Sequence, residues 1–103
     1  MKRPDIVRRV ADVIHRIAPN AEAILYGSEA RGDARPDSDI DLLILLDDSE
    51  ELTPEREFEI TRHLYEVELE TGVIISSMVM LRRMWERFIT PFSINVMNEG
   101  VVL

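Results

Sequence analysis

Apolar residues fall at Ile6, Val7, Val10, Val13, Ile14 and Ile17, with Arg8, Arg9, Asp12 and Arg16 between them. Steps of three and four predict an amphipathic helix over Pro4–Ile17, with Pro4 suited to its first turn. Ala18-Pro19-Asn20 ends it, because the residue before a proline is pushed out of the helical region. Glu22–Tyr26 then reads as a short strand. Ile40–Leu46 reads as a second strand, nearly all apolar after Asp41 and so covered on both faces. Between them Gly27-Ser28 turns the chain, Glu29 to Gly32 has room for little more than one helical turn, and Asp33 to Ser38 is loop around Pro36.

The second half carries clearer punctuation. Thr53-Pro54 is a cap followed by proline at the first helical position, and Gly72 is a natural stop. The helix between them is expected to run to about Glu70 and to bury Phe58, Leu64, Tyr65 and Leu69. Val73–Met80 reads as a third strand and Leu81–Phe88 as a short helix carrying Met84, Trp85 and Phe88. Thr90-Pro91 repeats the cap signal for a last helix that stops at Gly100.

This order predicts a single α/β (α+β) domain over residues 1–103, with helices flanking a mixed three-stranded sheet. A chain of 103 residues that is 46 % hydrophobic can bury one core and has little room for a second. The long helix between the second and third strands suits a parallel crossover. The Gly-Ser turn follows strand one and Asp39/Asp41 open strand two, so the two meet only if those strands run antiparallel.

Composition removes several function classes. The chain has no cysteine, hence no disulfide framework and no thiolate metal site. His15 and His63 alone do not suggest zinc, and no serine has a histidine and carboxylate partner by motif. There is no apolar leader, and Leu42–Leu46 is far too short to cross a membrane, so a soluble cytoplasmic protein is expected. The net charge of −8 argues against neutralising nucleic-acid phosphates. A single anionic nucleotide is different, because a metal ion can supply the positive charge locally.

The chemistry concentrates in Tyr26–Asp41. Strand alternation points Asp39 and Asp41 the same way, roughly 6–7 Å apart, and sends Ile40 and Leu42 to the core. Paired carboxylates repel unless a cation lies between them, and their hard oxygens suit Mg²⁺. Gly27 allows close approach of backbone to a phosphate, Ser28 and the amides after it can donate to one, and Arg31 lies a turn further on. Asp37, Asp39 and Asp41 also imitate the start of a calcium loop. That reading fails, because Leu42 and Asp48 stand where glycine and glutamate are needed.

Gly27-Ser28, ten residues, then Asp39-Ile40-Asp41 resembles the signature of the DNA polymerase beta nucleotidyltransferase superfamily. The wording Gly-Ser-x-Ala-Arg-Gly…Ser-Asp-Ile-Asp-Leu looks specifically like its minimal nucleotidyltransferase (MNT) members. The resemblance implies a small nucleotidyltransferase fold, with Gly27, Ser28 and Arg31 on the phosphates of ATP and Asp39 and Asp41 on Mg²⁺. It implies transfer of AMP from ATP to a hydroxyl on a protein or a small molecule, with a HEPN-domain toxin as the partner it suggests.

Two departures from that family pattern stand out. The superfamily places a third carboxylate on the strand after the crossover, where this chain has Ser76 and Ser77; Glu68 and Glu70 are the nearest acids in sequence. Glu29 puts an acid in the turn, an arrangement expected to weaken triphosphate binding. Together they leave open an antitoxin-like protein that neutralises a partner by complex formation. The apolar end of the chain (Ile94, Val96, Met97 and Val101–Leu103) is expected to serve partner contact or homo-oligomerisation.

Overall fold

Ile40–Leu46 forms strand β2 at the centre of the protein, and all of it except Asp41 is buried. The computed structural model describes residues 1–103. In chain order the elements are α1 (Pro4–Ile17), β1 (Glu22–Tyr26), α2 (Gly27–Arg31), β2, α3 (Pro54–Thr71), β3 (Ile75–Leu81), α4 (Arg82–Arg87), α5 (Pro91–Glu99) and β4 (Val101–Val102). β2 pairs antiparallel with β1 and parallel with β3, so the sheet is mixed, as the turn and the crossover helix required.

The sheet has four strands, in the order β3-β2-β1-β4, rather than three. β4 lies antiparallel on β1, with Val101 opposite Leu25, and the Leu103 amide donates to the Ala23 carbonyl at 2.8 Å. Two residues are too few to show an alternation, and only the unpaired edge of β1 gives them a strand conformation. Val101 and Val102 therefore add a fourth strand to this sheet and Val96 is core, while Ile94, Met97 and Val102 stay exposed.

Helices cover both faces. α1 and α3 pack on one, against Ile40, Leu42, Ile44 and Leu46 of β2 and Ala23 and Leu25 of β1. On the other, Leu43 and Leu45 meet Val96 of α5, with Ile24, Tyr26, Met80 and Trp85 around them. α3 turns a different stripe inward from the one its large residues suggest: Ile60, Leu64 and Val67 are buried, while Phe58, Tyr65 and Leu69 are exposed. Both sets have helical spacing, so periodicity alone does not choose between them. Branched side chains against α1 and the sheet form the interior stripe. No helix is long and apolar enough to cross a membrane.

Glu29 is the one acid sealed in the interior, with 0 % of its surface exposed. Its carboxylate accepts from the amides of Lys2 (2.6 Å) and Arg3 (2.8 Å) and from Arg3 Nε (2.7 Å). Arg3 Nη1 donates in turn to the Ser38 carbonyl (2.8 Å), so one guanidinium joins α2 to the loop leading into β2. Glu29 thus ties down the N-terminal segment and does not face the turn as a repulsive charge. Burial pushes its carboxyl up, but the hydrogen bonds from Arg3 and Lys2 and the Arg3 charge more than reverse this and hold it below the ordinary value.

A carboxyl with a lowered folded pKa contributes stability that is complete above the ordinary value of 4.5 and is lost as pH falls through the folded value. Glu29→Ala strands Arg3 in a partly buried site, at an expected cost of about 2 kcal/mol, or roughly 10 °C in Tm. Thermal unfolding of both proteins should show this gap at neutral pH and a smaller one below pH 4.5. A gap independent of pH would show that the charge of Glu29 contributes nothing.

Candidate functional site

Gly27 and Asp41 touch. The antiparallel register sets Tyr26 opposite Asp41, and Gly27, the next residue, has the left-handed φ of +76°. A Cβ on Gly27 would lie 2.3 Å from Asp41 Oδ2, so only glycine permits both the turn and the approach. The Ser28 carbonyl accepts the amides of Gly32 (3.0 Å) and Asp33 (3.1 Å), which closes α2 after five residues. That helix is too short for its dipole to matter, and the donors facing the site are the Gly27 amide and the Arg31 side chain.

Alternation along β2 directs Asp39 and Asp41 to the face of Leu43 and Leu45, at its open end beside α5. Asp39 is exposed and Asp41 half-buried. Burial, then the negative charge of Asp39, raises the Asp41 pKa; Arg31 opposes this and Glu99 adds to it. The Tyr26 phenol is raised by burial and by Asp41. Its ring meets Phe92 edge-on at 5.3 Å, and Phe92 meets Trp85 at 6.1 Å, which makes Trp85 part of the packing between α5 and the sheet.

Ser76 of β3 is in register with Asp41, so it occupies the neighbouring position on the same face. Ser77 faces α3, in a groove with Leu64 and Tyr65. Neither acid near the end of α3 reaches the pair. Glu68 accepts from the Ile75 amide (2.8 Å) and so fixes the start of β3, while Glu70 pairs with Arg9 of α1. No group of three or more His, Cys, Asp or Glu side chains converges as a metal cage. Two carboxylates on one face, one of them disfavoured by the other's charge, still suit a hard divalent cation that fills its shell with water and phosphate oxygens.

Glu99, at the last position of α5, is the site residue that sequence patterns do not reveal. Its carboxylate accepts from the Gly27 amide (3.0 Å) and, through both oxygens, from Arg31 Nη1 (3.1 and 3.3 Å). Arg31 also faces Asp33 at 3.4 Å. These contacts hold the Glu99 carboxyl below its ordinary value, with Arg31 the larger cause and Gly27 next, and raise the Arg31 guanidinium. A single acid before Gly100, 72 positions from Gly27, carries no local signal.

The nucleotidyltransferase domain family matches residues 7–103. Among solved structures, a candidate minimal nucleotidyltransferase shares 24 % identity and a TM-score of 0.63, covering 100 % of this chain and 97 % of that one. A candidate nucleotidyltransferase from Sulfolobus solfataricus shares 19 % identity and a TM-score of 0.58, over 95 % of this chain and 76 % of that one. At these identities the likeness speaks for the fold. No curated protein matches the chain in sequence at a significant level. With a family match that takes in the Gly27 turn and the Asp39–Asp41 strand alike, the chain belongs to the nucleotidyltransferase domain family.

Proposed function

We propose that this protein is a Mg²⁺-dependent nucleotidyltransferase that moves AMP from ATP to a hydroxyl group, carried by a HEPN-type toxin partner or by a small molecule. The observation that carries the reading is the convergence of the Gly27 turn with Asp41, the Cβ position of one lying 2.3 Å from the carboxylate of the other. Asp39 and Asp41 would hold the metal, which when bound supplies positive charge for the triphosphate and for the oxygens that gain charge during transfer. Gly27 N–H, the Ser28 turn and Arg31 would bind and orient the β- and γ-phosphates. Charge-assisted hydrogen bonds from a fixed backbone amide and a guanidinium would favour one orientation of the leaving pyrophosphate. Tyr26, opposite Asp41 in the sheet and packed edge-on against Phe92, would form the apolar side of the site.

The Ser76 position favours a second reading. A neutral hydroxyl stands beside Asp41, and serine is no base at neutral pH. A protein with that substitution can retain nucleotide and neutralise its partner by docking alone.

Incubation with the neighbour-encoded partner, labelled ATP and Mg²⁺ separates the two. Transfer of label is expected, with a loss of at least about 100-fold in Asp39→Ala or Asp41→Ala. Absence of transfer, with complex formation indifferent to both substitutions, would establish the docking protein instead.

Gly27→Ala is expected to combine an unfavourable backbone conformation with a collision against Asp41. The expected cost is about 2 kcal/mol in stability together with loss of ATP binding. Calorimetry and nucleotide titration on the same variant measure the two effects, and retained ATP affinity would remove Gly27 from the site.

A further inference from the structure

Where the reading above puts phosphate, the folded chain already has an anion. We propose that Glu99 is a resident occupant of the phosphate cradle, which the polyphosphate of an incoming nucleotide displaces, so that the free site is self-occupied. The inference rests on the nucleotidyl-transfer reading and adds the regulation of that same site. Glu99 takes the Gly27 amide and the Arg31 guanidinium together, the two donors that face the cradle.

Helix energetics do not explain the residue. A carboxylate in the last turn lies against the negative end of the α5 dipole, the unfavourable placement for an acid. A function as the missing third carboxylate fits poorly, because the Glu99 carboxylate is taken up by the Gly27 amide and Arg31 and joins no metal-binding cluster.

Release needs only a side-chain rotation. Behind Glu99, Val96 is buried in the core; ahead of it, a Cβ on Gly100 would meet the Val96 carbonyl at 2.4 Å and Ile24 Cγ2 at 2.7 Å, and β4 is hydrogen-bonded to β1. The backbone on both sides is thus held, while the Glu99 side chain is 24 % exposed, so that breaking its contacts with Gly27 and Arg31 is what releases it toward solvent. A tethered group competes at an effective concentration on the order of millimolar. Glu99 therefore excludes weakly held single anions and yields to a ligand with several adjacent phosphoryl charges, which selects for polyphosphates.

Calorimetric titration of Mg²⁺–tripolyphosphate, Mg²⁺–ATP and adenosine into wild type, Glu99→Gln, Glu99→Ala and Glu66→Gln tests this. Glu66→Gln removes the same charge from α3, on the opposite face of the sheet. Glu99→Ala should bind tripolyphosphate and ATP about three- to fivefold more tightly than wild type, with Glu99→Gln between them. Adenosine affinity and the Glu66→Gln variant should not change. Equal or weaker polyphosphate binding by both Glu99 variants overturns the proposal, as does loss of transfer in Glu99→Gln at unchanged polyphosphate affinity, which would make Glu99 a catalytic acid. Failure of every form, wild type included, to bind either polyphosphate is a separate result that removes the nucleotide reading itself.

Discussion

The antiparallel register of β1 on β2 is the constraint on which the site depends. Tyr26 faces Asp41 across that pair, so the turn after one strand is delivered to the start of the other. A shift by one residue would turn Asp39 and Asp41 into the α1/α3 core and expose Ile40 and Leu42. Burial of Leu42, Ile44 and Leu46 on one face and Leu43 and Leu45 on the other makes any such slip costly. The hydrophobic effect that stabilises the sheet therefore also positions the acids.

Charge in this acidic protein is arranged locally. Glu29 and Glu99 lie on either side of the same short turn and do opposite things. Glu29 points away from the cradle into a pocket of amides and the Arg3 guanidinium, and it holds the N-terminal segment and the Ser38 loop together. Glu99 points toward Gly27 and accepts from that residue's amide and from the Arg31 guanidinium. The difference is one of direction, which composition cannot express: −8 describes both equally well.

Much of this arrangement was legible in the residues. The caps at Thr53-Pro54 and Thr90-Pro91 mark the starts of α3 and α5, because proline and a threonine hydroxyl act over four residues. Gly27, Ser28, Asp39 and Asp41 stand out because a turn and an alternating pair are also local patterns. The inward stripe of α3 was not legible, since Phe58, Tyr65 and Leu69 repeat as regularly as Ile60, Leu64 and Val67. β4 was not either, for a two-residue strand exists only through its partner.

By itself the sequence determined the order of elements as far as α5, the mixed sheet, and the acids and glycine that meet at one end of its central strands, all of which follow from period, capping and crossover length. Only the tertiary structure decided what each remaining charge does. It gave Glu29 to Arg3, Glu68 to the Ile75 amide and Glu70 to Arg9, put Ser76 beside Asp41, and brought Glu99 from the far end of the chain to Gly27 and Arg31. Contacts between residues so far apart in sequence leave no periodic trace. They are set by which faces pack, and that is known only once the chain has closed on itself.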